Sequence, residues 1–166
     1  MAVIADYNVP ATDEDAIGPD GSKFIRRIID AECLVAPGGF RLRDTTNGIA
    51  VNPGCCFDLE IWRDWLDVAH GGTPWLGHDP SPWIEHAGQT ILIWPDGGEQ
   101  TTPPSGHPIK IPALELPELI DAAQHHLREL MGLLEPWADG LQLPEPQALP
   151  TVLDRHFHIT ETSGET

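Results

Sequence analysis

Phe40-Arg41-Leu42-Arg43-Asp44-Thr45-Thr46-Asn47-Gly48-Ile49-Ala50-Val51 sets the character of this chain. Apolar and basic side chains alternate from Phe40 to Arg43, the two-residue period of a strand with one face buried. Thr45-Thr46-Asn47-Gly48 supplies turn chemistry, because Asn and Gly tolerate the positive φ of a hairpin turn. Ile49-Ala50-Val51 then returns antiparallel. The segment predicts a β-meander.

Upstream, Phe24, Ile25, Ile28 and Ile29 have helical i,i+4 spacing, whereas Cys33-Leu34-Val35 before Pro37-Gly38-Gly39 reads as a strand. Residues 22–29 fit either state. Residues 1–22 are acidic and punctuated by Gly and Pro, which predicts a flexible arm and leaves 23–166 as a single α+β domain.

Downstream, Asp58 can cap a helix from Leu59 to about Ala69 with Leu59, Trp62, Trp65, Leu66 and Ala69 on one face. Gly71-Gly72 ends it, and a Pro/Gly-rich passage occupies 73–82. Trp83-Ile84-Glu85-His86 and Thr90-Ile91-Leu92-Ile93-Trp94 read as a second hairpin turning near Ala87-Gly88. The uniformly apolar second strand is expected to be central and covered on both faces. Ile109-Lys110-Ile111, bounded by Pro108 and Pro112, reads as an edge strand.

The longest helix is expected from Pro117 to Ala138. Its stripe of Leu116, Ile120, Ala123, Leu127, Leu130, Met131 and Leu134 should pack on the sheet. A short helix follows near 151–156. The fold class is therefore α+β: an antiparallel meander and hairpin sheet packed against two main helices.

The chain has 166 residues, 26 acidic and 9 basic, for a net charge of -17. Five acids and no base fall in 1–20, nine acids and six bases in 21–95, and twelve acids and three bases in 96–166. Such a field repels nucleic acid and anionic lipid, and it steers a basic protein toward encounter. No basic n-region opens the chain, and no apolar run approaches the roughly 20 residues that span a bilayer. Three cysteines, two of them adjacent, do not form a secreted disulfide framework. The expected location is the cytoplasm, with no membrane partner.

The residues that could carry chemistry lie between 55 and 86. His70, His78 and His86 recur every eight residues, with Asp79 and the Cys55-Cys56 pair near them. Zinc accepts such donors, but the short ligand pairs of structural zinc sites are missing. Adjacent cysteines also serve well as small core residues. Neither metal ligands nor a cofactor is assigned from the sequence. His78-Asp79 could orient an imidazole as a general base, yet neighbouring side chains seldom point at each other. Cys55 or Cys56, just before a helix, could have an activated thiol, although Pro53-Gly54 predicts a buried turn. The chain carries no G-x-S-x-G, Walker loop, G-x-G-x-x-G or H-E-x-x-H pattern, and no catalytic residue is assigned.

His125 has Asp121 and Glu129 four residues to either side, an ordinary surface arrangement, and His126 sits at the stripe's edge, half-buried. His156 and His158 read as solvent-facing beside a buried Phe157. Among the tryptophans, Trp62, Trp65 and Trp94 fit core positions. Trp75 and Trp83 flank the Pro-rich loop, where burial is less assured, and Trp is enriched in binding hot spots. Trp75, His78, Asp79, Trp83 and Glu85 are the predicted partner-binding residues.

The run from Val51 through Gly54-Cys55-Cys56-Phe57-Asp58 to Leu66, followed by Trp75-Leu76-Gly77-His78-Asp79-Pro80-Ser81-Pro82-Trp83, resembles a family of small uncharacterised acidic bacterial proteins. The layout is similar to that of immunity proteins that neutralise toxins. That resemblance implies an immunity- or antitoxin-type inhibitor sequestering a basic protein, and it supplies no catalytic residues. The alternatives are a metal-dependent or thiol enzyme built on residues 55–86 and a structural accessory subunit.

Overall fold

A computed structural model describes residues 21–97, 104 and 106–161. The acidic arm expected at 1–22 lies outside them except for its last two residues. The described residues form an α+β fold with four helices and two small antiparallel sheets. The chain divides into two compact units, residues 37–123 and residues 1–36 with 124–166.

In the first unit, β1 (Leu42–Arg43) and β2 (Ala50–Val51) pair Leu42 with Val51 and Arg43 with Ala50. The turn forms as its residues dictate. Asp44 accepts bonds from the Thr46 amide (2.8 Å) and the Asn47 side-chain amide (2.6 Å). Asn47 in turn accepts from the Ile49 amide (2.9 Å), and Gly48 takes φ +77°. The meander is a single hairpin with strands shorter than its pattern predicts.

The second sheet has the order β3-β4-β5, from Trp83–Ala87, Thr90–Trp94 and Ile109–Pro112, all antiparallel. β4 is central, as its sequence predicts, and β5 is an edge. Ile91 and Ile93 are buried while Thr90, Leu92 and Trp94 are half-buried, so cover is heavier on one face. That face shares a core with Trp62, Trp65, Val68, Leu116 and Ile120.

The helix expected at 59–69 is broken into a 3₁₀ turn (Leu59–Ile61) and a short α2 (Asp64–Ala69). Asp58 occupies the cap position with no side-chain cap bond. Trp62, between the two pieces, and Trp65 and Val68 in the α-helix are buried. Phe40 packs on Trp62 with ring centroids 5.1 Å apart.

In the second unit, the ambiguous segment is helix α1 (Ser22–Asp30), burying Ile25 and Ile28. Residues 33–35 are not a strand; Leu34 is buried within an irregular stretch. The long helix α3 (Leu116–Gly140) begins in the sheet unit and continues here beyond Ala123. Met131, Leu134 and Ala138 are buried in this part of it, and α4 (Ala148–Phe157) buries Leu149, Val152, Leu153 and Phe157.

The stripe on α3 differs from expectation at two positions. Leu130 is exposed, because it lies one helical step of about 100° from Met131. Gln124, not marked as core by its polarity, is buried, and its Nε2 donates to the carbonyls of Ile159 (2.7 Å) and Glu161 (3.0 Å). His126 is exposed rather than half-buried. No helix among the described residues is long and apolar enough to cross a membrane.

Candidate functional site

Residues 52–58 and 75–80, in the sheet unit, cross at very close range. The Gly54 amide donates to the Leu76 carbonyl at 2.8 Å, and Cys55 and His78 form an isolated antiparallel bridge. A Cβ on Gly54 would stand 2.1 Å from the Pro80 carbonyl oxygen and 2.4 Å from the His78 nitrogen. Gly77, at φ +95°, would meet Gly54 backbone at 2.6 Å. Only glycines let these two segments touch.

The bridge brings Cys55, Cys56, His78 and Asp79 together. Cys55 Sγ lies 3.4 Å from Cys56 Sγ, and Cys56 Sγ lies 3.6 Å from His78 Nε2. His78 Nδ1 lies 3.2 Å from Asp79 Oδ2. In an extended chain, adjacent side chains point to opposite faces. Here Cys56 (φ +66°) and Asp79 (φ +50°) adopt the left-handed conformation, which brings each side chain round to its neighbour. Non-glycine residues held there cost about 1–3 kcal/mol each and persist only where surrounding structure imposes them. The Gly54–Gly77 crossing is that structure.

Both cysteines are exposed, which corrects the expectation of core-filling roles, while Gly54 just before them is buried. The left-handed turns also overturn the expectation that neighbouring side chains point apart. With its Nδ1 proton donated to Asp79, His78 presents the Nε2 lone pair to Cys56. The order Cys56–His78–Asp79 is that of nucleophile, base and orienting carboxylate. Against thiol catalysis, the hydrogen bond and charge of Cys55, then desolvation and Asp58, push the Cys56 thiol above its ordinary value. It stays protonated near neutral pH.

The eightfold histidine spacing has no structural counterpart. His70 Nδ1 donates to the Leu66 carbonyl one helical turn back (2.7 Å), and His86 Nε2 ties β3 to the Gly72 carbonyl (2.9 Å), so each is engaged with backbone. His125 lies 3.5 Å from Glu129 on the exposed face of α3, and His158 contacts Glu161 at 2.7 Å.

Trp75 is 56% exposed and Trp83 36%, whereas Trp62 and Trp65 are buried and Trp94 is half-buried. Trp75 lies beside His78, with ring centroids 6.2 Å apart. Asp79 and Glu85 are exposed. The loop between Asp79 and Trp83 is tied to the end of β4, since the Ser81 amide donates to Asp96 (3.2 Å) and the Gly97 amide to the Ser81 carbonyl (2.7 Å). Of the predicted partner-binding residues, Trp75, His78 and Asp79 are direct neighbours. Trp83 and Glu85 follow on β3.

Sequence reasoning missed a groove of about 310 Å³ lined by Phe40, Leu42, Trp65, Leu116 and Leu119, with Arg41 and Arg43 among its walls. It also missed Leu130, Leu133 and Trp137, exposed at spacings of three and four along α3. The α+β class is as far as the fold identifies the protein. Comparison with protein-family models, curated proteins and solved structures gives no match for this chain.

Proposed function

We propose that this chain is an acidic binding protein that captures a basic protein through the surface carrying Trp75, His78, Asp79, Trp83 and Glu85, as an immunity-type inhibitor would. The observation that supports it best is the exposure of the Trp75 indole beside His78 and Asp79. A large ring left in solvent is area held for a partner, and Trp is the commonest anchor of binding hot spots. The net charge of -17 attracts a basic partner, and the exposed carboxylates of Asp79 and Glu85 accept Lys or Arg.

Capture from native lysate with wild-type and Trp75→Ala baits tests this reading. A stoichiometric basic protein retained by the wild type should be lost from Trp75→Ala, since losing a hot spot costs about 2 kcal/mol or roughly 30-fold in affinity. Equal retention by both baits contradicts it. An accessory-subunit reading draws support from the exposed Leu130, Leu133 and Trp137. Its homo-oligomeric form would show as an unfolding midpoint that rises with protein concentration.

A further inference from the structure

We propose that Cys55, Cys56 and His78 form a zinc site of three protein ligands whose fourth coordination position is open to solvent. This inference stands apart from the partner-binding reading and would survive its failure.

The donor atoms lie within 4.8 Å of one another. A tetrahedral zinc ion with ordinary bond lengths sets its ligands about 3.8 Å apart for two sulfurs and about 3.6 Å for sulfur and nitrogen. The observed 3.4 Å between Cys55 and Cys56 and 3.6 Å between Cys56 and His78 are close to those edges. Closing the third edge needs a side-chain movement of at most about 1 Å. Two sulfurs and an imidazole are the donors of a thiophilic ion, and they disfavour magnesium and calcium.

The ligand geometry is held from outside. The Asp79 carboxylate accepts a hydrogen bond from His78 Nδ1 (3.2 Å), which favours the tautomer whose Nε2 is free to bind a metal, the arrangement of a carboxylate–histidine–zinc pair. The Gly54–Gly77 crossing fixes the two segments, and the left-handed Cys56 aims both sulfurs to one side. All three ligand residues are exposed, so the ion can enter and its fourth position is left to water. On binding, each thiol releases its proton to solvent as a sulfur–metal bond forms, and the process needs no oxidant or reductant.

The test is anaerobic titration of the reduced full chain with cobalt(II), followed by zinc(II). The expected result is one cobalt per chain with a thiolate-to-cobalt charge-transfer band, displaced by one equivalent of zinc. Cys55→Ser and Cys56→Ser should each abolish the band, and Cys33→Ser should leave it intact. Asp79→Asn should retain the band with affinity lowered about 10–100-fold, a graded loss that misfolding would not produce. The proposal is overturned if reduced wild type gives no band, or if the band survives Cys56→Ser or depends on Cys33. Uptake of copper(I) with no detectable zinc binding would overturn the assignment to a tetrahedral dication.

Discussion

Replacing Gly54 by alanine adds one methyl group at the tightest point of the fold. That carbon would lie 2.1 Å from the Pro80 oxygen and 2.4 and 2.5 Å from the His78 nitrogen and oxygen, all backbone atoms that no rotamer change can move. Restoring contacts to about 3.2 Å requires the segments to part by roughly 1 Å, a hydrogen-bond-breaking distance. The bonds at risk are Gly54 to Leu76 and the two between Cys55 and His78. At about 1 kcal/mol net each, their loss costs about 3 kcal/mol, and the reduced entropy of the unfolded alanine chain returns about 0.5–1. Gly54→Ala should therefore lose about 2–3 kcal/mol in urea unfolding. Gly132→Ala is the control: it sits in α3 with nothing within 4 Å of an added Cβ, and should gain about 0.5–1 kcal/mol. A Gly54→Ala variant within 0.5 kcal/mol of wild type would refute the crossing as the support of the site.

Gln124→Leu keeps the volume of a buried side chain but leaves the Ile159 carbonyl without its amide donor, and should cost about 1–3 kcal/mol in the same assay. Burial first, then the Glu60 charge, raises the Asp58 carboxyl above its ordinary value, so the native state holds this proton more tightly than the unfolded chain. The ionised group therefore opposes folding above its folded pKa, and that cost fades as pH falls through the folded pKa toward the unfolded one. Asp58→Asn, which removes the charge and loses no side-chain cap bond, should be more stable than wild type at neutral pH, with the advantage shrinking on acidification. A pH-independent difference between their unfolding free energies would contradict this origin.

The first hairpin was legible because alternation and turn chemistry agree: Asn47-Gly48 and the bonds to Asp44 do what their residue types predict. β4 was placed centrally by its apolar run, and α3 by its stripe. What escaped depends on backbone conformations that no periodicity encodes. Cys56 and Asp79 occupy a region non-glycine residues seldom adopt, so residues expected to diverge converge instead. No Gly or Pro marks the break after Ile61, and Gln124 is buried because the C-terminal segment offers it carbonyls. Among the site residues, exposure of Trp75 could be anticipated from its Pro-rich surroundings. The glycine pair that builds the cysteine cluster carried a signal, Pro53-Gly54 and Leu76-Gly77, but only the crossing of the two segments gives it meaning.

Steering by negative charge would bring a basic protein to the surface around Trp75. Its most direct measurement is the association rate of the captured partner as a function of salt, for wild type and for the Asp79→Asn, Glu85→Gln double variant. The account predicts a wild-type rate that falls as salt rises, and a slower, flatter dependence in the double variant. A rate unaffected by salt, or the same salt dependence in both proteins, would contradict it.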